Sequence, residues 1–124
     1  MTRVLYPLLG IALFCGACDD GDSKPKTDPK VVAAARQVWE TKCSTCHGPE
    51  GRGDGQAGLA LDPKPRNFHD KAFQEKVTDD HLKKVIVEGG AAVGLSANMA
   101  PNPELAKKPK VVAELVRKVR SFGK

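Results

Sequence analysis

Cys43-Ser44-Thr45-Cys46-His47 is the stretch around which the chain is organised. Two thiols three residues apart, with a histidine directly after the second, read as a covalent haem attachment site. On a helix, positions i, i+3 and i+4 share one face, so Cys43, Cys46 and His47 can point at the same flat object. The thiols then form thioethers with the two haem vinyl groups, and the imidazole of His47 sits under the iron. The rival readings need partners. A structural zinc site requires further Cys or His ligands at matching spacing, and the only other cysteines, Cys15 and Cys18, lie in an apparent leader. A thioredoxin-like CxxC site requires strands alternating with helices, and the pattern contains none. A plain Cys43–Cys46 disulfide stays open as the simplest alternative at this point.

Outward from the motif, the N-terminal side reads as a leader and a tether. Arg3 gives a positive start, and Val4 to Phe14 is mostly apolar but carries Pro7 and Gly10. That stretch is too short to span a bilayer and suits a signal-peptide core. Cys15-Gly16-Ala17-Cys18 resembles a bacterial lipobox, with cleavage before Cys18 and lipidation of its thiol. Cys15 departs from the aliphatic residue usual at its position, and an ordinary secretory cut near Ala17 is the alternative. Asp19 to Lys30 has no hydrophobic residue except prolines, so it cannot bury surface and reads as a disordered tether. The expected organisation is a signal over residues 1–17, a tether over 18–30 and one domain over 31–124.

That domain has few large core residues: Trp39, Phe68, Phe73, Phe122 and scattered aliphatics. So small a domain rarely supplies enough core alone, and a buried porphyrin fills the gap. Val31, Ala34, Ala35, Val38 and Trp39 follow helical spacing up to the motif, and Gly48-Pro49 ends the helix. Gly48 to Gly58 is a loop carrying five glycines. It has no GxGxxG after a strand, which excludes a nucleotide site. The glycines serve turns, or close backbone approach to a haem edge. Leu59 to Phe68 is extended, because residues before proline are pushed out of the helical region. A short helical turn is expected over Asp70 to Glu75. Thr78 caps a helix running through Leu82, Val85 and Ile86 to Glu88, and Gly89 stops it. Gly90 to Asn98 and Met99 to Pro103 are loops. Pro109 opens a last helix with an apolar stripe of Val112, Leu115, Val116, Val119 and Phe122.

From Val31 to Phe122 the chain resembles a class I cytochrome c. The attachment motif ends the first helix, a methionine follows in a loop, and a terminal helix closes the chain. Trp39 matches the family's aromatic before the motif, and Ala35 the small residue where first and last helices cross. Leu61 to Phe68 and Val85 to Gly94 are similar to segments of bacterial single-haem members. The resemblance implies an all-α fold, with three to four helices packed around one haem c. It places Pro63, Pro65 and Phe68 in the haem's surroundings, with the carbonyl of Pro63 or Pro65 accepting the imidazole's other N–H. Lys118 departs from the pattern, because an aromatic often stands there against the first helix.

Given a haem, the sixth ligand follows by elimination. Met99 is the only methionine beyond Met1, in a loop with little hydrophobic content of its own. The competitors His69 and His81 lie in polar surroundings and are expected to face solvent. With both axial positions filled and no acid–base pair beside the haem, the reading is a non-enzymatic electron carrier. An open-haem gas sensor, a peroxidase-like catalyst and an accessory subunit of a larger oxidoreductase are the alternatives. The formal charge of +5 falls to +4 if cleavage removes Arg3. Lys64, Arg66, Lys107, Lys108 and Lys110 suggest a basic face for redox partners with acidic docking surfaces. The reading includes a periplasmic monomer anchored to a membrane through Cys18, with no nucleic acid and no small-molecule substrate.

Overall fold

The computed structural model describes residues 27–124. Its first helical body is one continuous run made of three pieces: α1 (Pro29–Val38), a π turn (Trp39–Cys43) and α2 (Ser44–His47). α3 (Lys71–Lys76), α4 (Asp79–Glu88) and α5 (Pro109–Ser121) follow, with 3-10 turns at Ala91–Val93 and Pro103–Leu105. Among the described residues this makes four helical bodies and no strand, as the pattern of the sequence requires.

The helix starts follow cap chemistry. Asp28 accepts the amide of Lys30 at 2.8 Å and Pro29 occupies the first turn, so the helix begins two residues before Val31. Thr27 to Lys30 therefore belong to the folded part rather than to the tether. Asp70 accepts from the amides of Ala72 and Phe73, and Thr78 accepts from His81. Asp79 and Asp80 sit in the positive first turn of α4.

The π turn is the feature that the 3.6-residue pattern did not reveal. The amide of Ser44 reaches back to Trp39 O, five residues away, which widens one turn and re-aims the end of the helix. Trp39 is thereby buried while Cys43 stays half-buried beside it.

α5 is the element on which the others pack. Val111, Val112, Leu115, Val116 and Val119 are all buried, while Phe122 is only half-buried at the helix end. Ala35 is 3% exposed, and its small side chain lets α1 approach α5 closely. Arg120 locks α5 to the α3–α4 corner. Its Nε donates to Asp79 at 2.8 Å, Nη1 to the Gln74 carbonyl at 2.8 Å and Nη2 to the Val77 carbonyl. Gln74 in turn donates to the carbonyls of Phe68 at 2.7 Å and Val119 at 3.0 Å. These are charge-assisted or partly buried bonds, stronger than exposed neutral ones. Arg120→Ala should lower the unfolding free energy by about 2 kcal/mol, measured by denaturant unfolding of the holoprotein. Arg120→Lys should recover only part of the loss, because one ammonium cannot reproduce the planar fork.

Candidate haem site

His47 ends α2 and is 9% exposed. Its Nδ1 lies 3.2 Å from the carbonyl oxygen of Arg66. A carbonyl only accepts, so Nδ1 carries the proton and Nε2 keeps a free lone pair. The carbonyl that meets the imidazole is thus Arg66's, and the sequence expectation of Pro63 or Pro65 is corrected by a register shift in the loop. Pro63 is exposed. The carbonyl of Pro65 faces Gly53, and its ring faces Gly58. Phe68 stacks on the imidazole, with ring centroids 4.6 Å apart and an interplanar angle of 20°. Two contacts therefore fix the ring, one at its edge and one on its face.

Burial holds His47 below the ordinary histidine pKa, and the bond to Arg66 offsets part of that shift. The neutral form is the one that can ligate a metal. Around the ordinary pKa the unfolded chain binds a proton that folded His47 refuses, so stability falls as pH drops through that range. Cys43 is half-buried and forms no disulfide; as an unattached thiol its pKa is pushed by burial up to about 11, with neighbouring Lys42 opposing. Cys46 is also free and half-buried.

The loop of five glycines is seated on the motif itself. The last carbonyls of a helix have no partner within it, and here the loop supplies the partners. Gly48 N bonds Ser44 O, Ala57 N bonds Thr45 O, Gly55 N bonds Cys46 O and Gly53 N bonds His47 O, all between 2.8 and 3.0 Å. Gly48, Gly51 and Gly53 adopt positive φ, so the turn reading holds for them. Close approach also holds, to the backbone of residues 44–46: a Cβ on Gly55 would lie 2.4 Å from Thr45 O.

In the same cleft as His47, Met99 is held in place by backbone bonds. Gly90 N donates to Met99 O at 2.8 Å. Asn102 pins the same loop to the end of α4, with its amide on Val87 O and its side chain on Ile86 O, both at 2.9 Å. The sequence reading missed the role of Asn102, and it named Arg66 only for its charge. Arg66 acts through its carbonyl and leaves no trace in its side-chain chemistry. An asparagine between two prolines was the available signal for Asn102.

Cys43, His47 and Met99 line one narrow cleft with a cavity volume of about 30 Å³, walled by Trp39, Phe68, Ile86, Leu115 and Val119. The walls carry no carboxylate and no cation. An apolar slot presenting an imidazole nitrogen and a thioether, with a thiol beside them, is the donor set and surface that haem iron and a porphyrin require. The residues present fit the group. His69 and His81 are not among the lining residues. His69 is half-buried, with its Nε2 bonded to the Glu50 carbonyl at 2.8 Å. His81 is half-buried in the first turn of α4. Neither is as open to solvent as the sequence suggested. Among the described residues no group of three or more His, Cys, Asp or Glu forms a separate metal site.

Gly55→Ala should unseat the loop, since the added carbon meets backbone oxygens that cannot rotate away. The expected outcome is a loss of about 1–3 kcal/mol of stability and a lower yield of haem-loaded protein, read by thermal unfolding and by the haem-to-protein absorbance ratio.

A comparison with protein families matches the Cytochrome c family over residues 32–116. A comparison with curated proteins found no match. The family match spans the attachment helix, the glycine loop, the Met99 loop and most of α5. The chain belongs to the cytochrome c family, and its cofactor is haem c, the iron porphyrin attached through cysteine thioethers.

Proposed function

We propose that this haem-based electron carrier holds its single haem through Cys43 and Cys46, with His47 and Met99 as the axial ligands. The observation that carries the reading is the shared cleft: His47 and Met99 line the same apolar space, and no histidine competes for it. Bound there, haem supplies a one-electron ferric–ferrous couple. The chain's own groups do the rest. Arg66 O and Phe68 hold the imidazole in one tautomer and one orientation. Met99 offers a soft, uncharged sulfur, which favours ferrous iron and raises the potential relative to a second histidine. The apolar walls exclude water, and they include no acid or base to move a proton. An electron carrier needs no open coordination position, whereas a gas sensor or peroxidase does.

The oxidised protein should show the weak sulfur-to-iron band at the red end of the visible spectrum. Met99→Ala should abolish that band and let ferrous protein bind carbon monoxide, while His81→Ala should leave the spectrum unchanged. Ready binding of carbon monoxide by the wild type at neutral pH would replace the carrier with a sensor or catalyst.

Cytochrome c domains are generally extracytoplasmic, and they exchange electrons with redox partner proteins. Among the described residues no helix is long and apolar enough to cross a membrane. The reading extends to a signal over 1–17, a lipid on Cys18, a polar tether, and a periplasmic monomer whose partners dock with acidic surfaces. The signal, Cys18 and the residues up to Lys26 lie outside the described residues, and the sequence alone supports their roles. Lys64, Lys107, Lys108 and Lys110 are exposed and support a basic face. Arg66 is less available, because its guanidinium pairs with Asp70 at 3.6 Å and lies over Phe73. Stable anchoring needs more than one acyl chain, as bacterial lipoproteins carry. Cys18→Ser should move the protein from the membrane fraction to the soluble periplasmic fraction, followed by its haem absorbance. A wild type already soluble there rejects the anchor.

A further inference from the structure

Lys118 stands at the crossing of the first and last helices, where the family resemblance calls for an aromatic. Its Nζ lies 5.1 Å from the ring centroid of Trp39 and 5.1 Å from that of Phe122. The two rings are themselves 5.3 Å apart and inclined at 42°, so the ammonium sits in a two-sided aromatic cage. Lys118 is half-buried. Among the described residues it has no carboxylate within ion-pair distance, although six other Lys or Arg side chains have one. A cation held against ring faces keeps its charge while losing part of its water shell.

The position of the cage matters more than its strength. Trp39 is 4% exposed and lines the haem cleft, as does Val119, the residue after Lys118. Lys118 itself does not line the cleft. The ammonium is therefore a fixed positive charge one indole away from the cofactor, in surroundings where charges are screened less than at an open surface. When a redox partner delivers one electron, ferric iron becomes ferrous and the charge of the haem falls by one. A nearby cation favours that reduced state.

We propose that Lys118 is a tuning residue that raises the reduction potential of the haem through space, its ammonium fixed by the rings of Trp39 and Phe122. The inference rests on haem lying in the cleft that Trp39 lines, and it does not need Met99 to be the ligand.

The test is an equilibrium redox titration of the holoprotein at low and high salt. Lys118→Met, which keeps the length and removes the charge, should lower the equilibrium constant for reduction about fivefold. At ~59 mV per tenfold for a one-electron couple that is about 40 mV. Lys118→Glu should lower it further, and Lys118→Arg, which keeps charge and stacking, should stay near the wild type. The differences should persist at high salt, and the axial-ligand bands should not change. A Lys118→Met protein with wild-type potential and only a shifted melting temperature overturns the proposal, leaving a packing role. So does a potential change accompanied by altered axial-ligand bands, since the cause is then the ligand. Should the methionine variant fail to accumulate, Lys118→Gln removes the same charge. A wild type without the sulfur-to-iron band would defeat the Met99 assignment and leave this comparison intact.

Discussion

The four terminal carbonyls of the attachment helix need partners, and the site is built from the way they find them. Ser44, Thr45, Cys46 and His47 are followed at once by a loop whose amides return to all four of them. That return fixes where the loop goes next. Phe68 N then bonds Gly51 O at 2.8 Å, which places Phe68 on the imidazole and brings the Arg66 carbonyl to Nδ1. The same hydrogen bonds that end the helix therefore orient the His47 imidazole. The glycines are required because a side chain at Gly55 or Gly58 would overlap the backbone of the motif.

The opposite wall depends on a similar device. α4 ends at Gly89, whose φ of +81° suits glycine. The carbonyls of Ile86 and Val87 are taken by Asn102, in the Met99 loop. Both walls of the cleft are thus helix ends completed by loops that carry site residues. α5 then closes the space with Leu115 and Val119, and Arg120 and Gln74 hold it there through backbone carbonyls of distant segments.

Charge is arranged by depth. Among the described residues, five of the six ion pairs have both members at least a quarter exposed, and the sixth, Arg117 with Glu114, lies on the surface of α5. Such pairs contribute little each to stability. The cleft wall is free of charged side chains. An electron arriving there meets a low-dielectric surround, in which a single cation acts at longer range than it does in water.

The sequence by itself determined the chemistry and the coarse architecture. Cys43 and His47 have a spacing that brings both to one cleft at a helix end, the periodicity of Val112 to Val119 sets the buried face of α5, and Thr78 and Gly89 bound α4. These are local signals, carried by side-chain type and spacing. Tertiary structure decided what depends on backbone groups and on residues far apart in the chain. Which carbonyl meets His47 could not be read, because every residue offers the same carbonyl and only the path of the loop selects Arg66. The π turn was hidden because one extra residue per turn leaves the apolar pattern nearly unchanged. Lys118 looked like a defect in the helix crossing because a sequence shows the missing aromatic. It does not show that Trp39 and Phe122 come together to hold the cation.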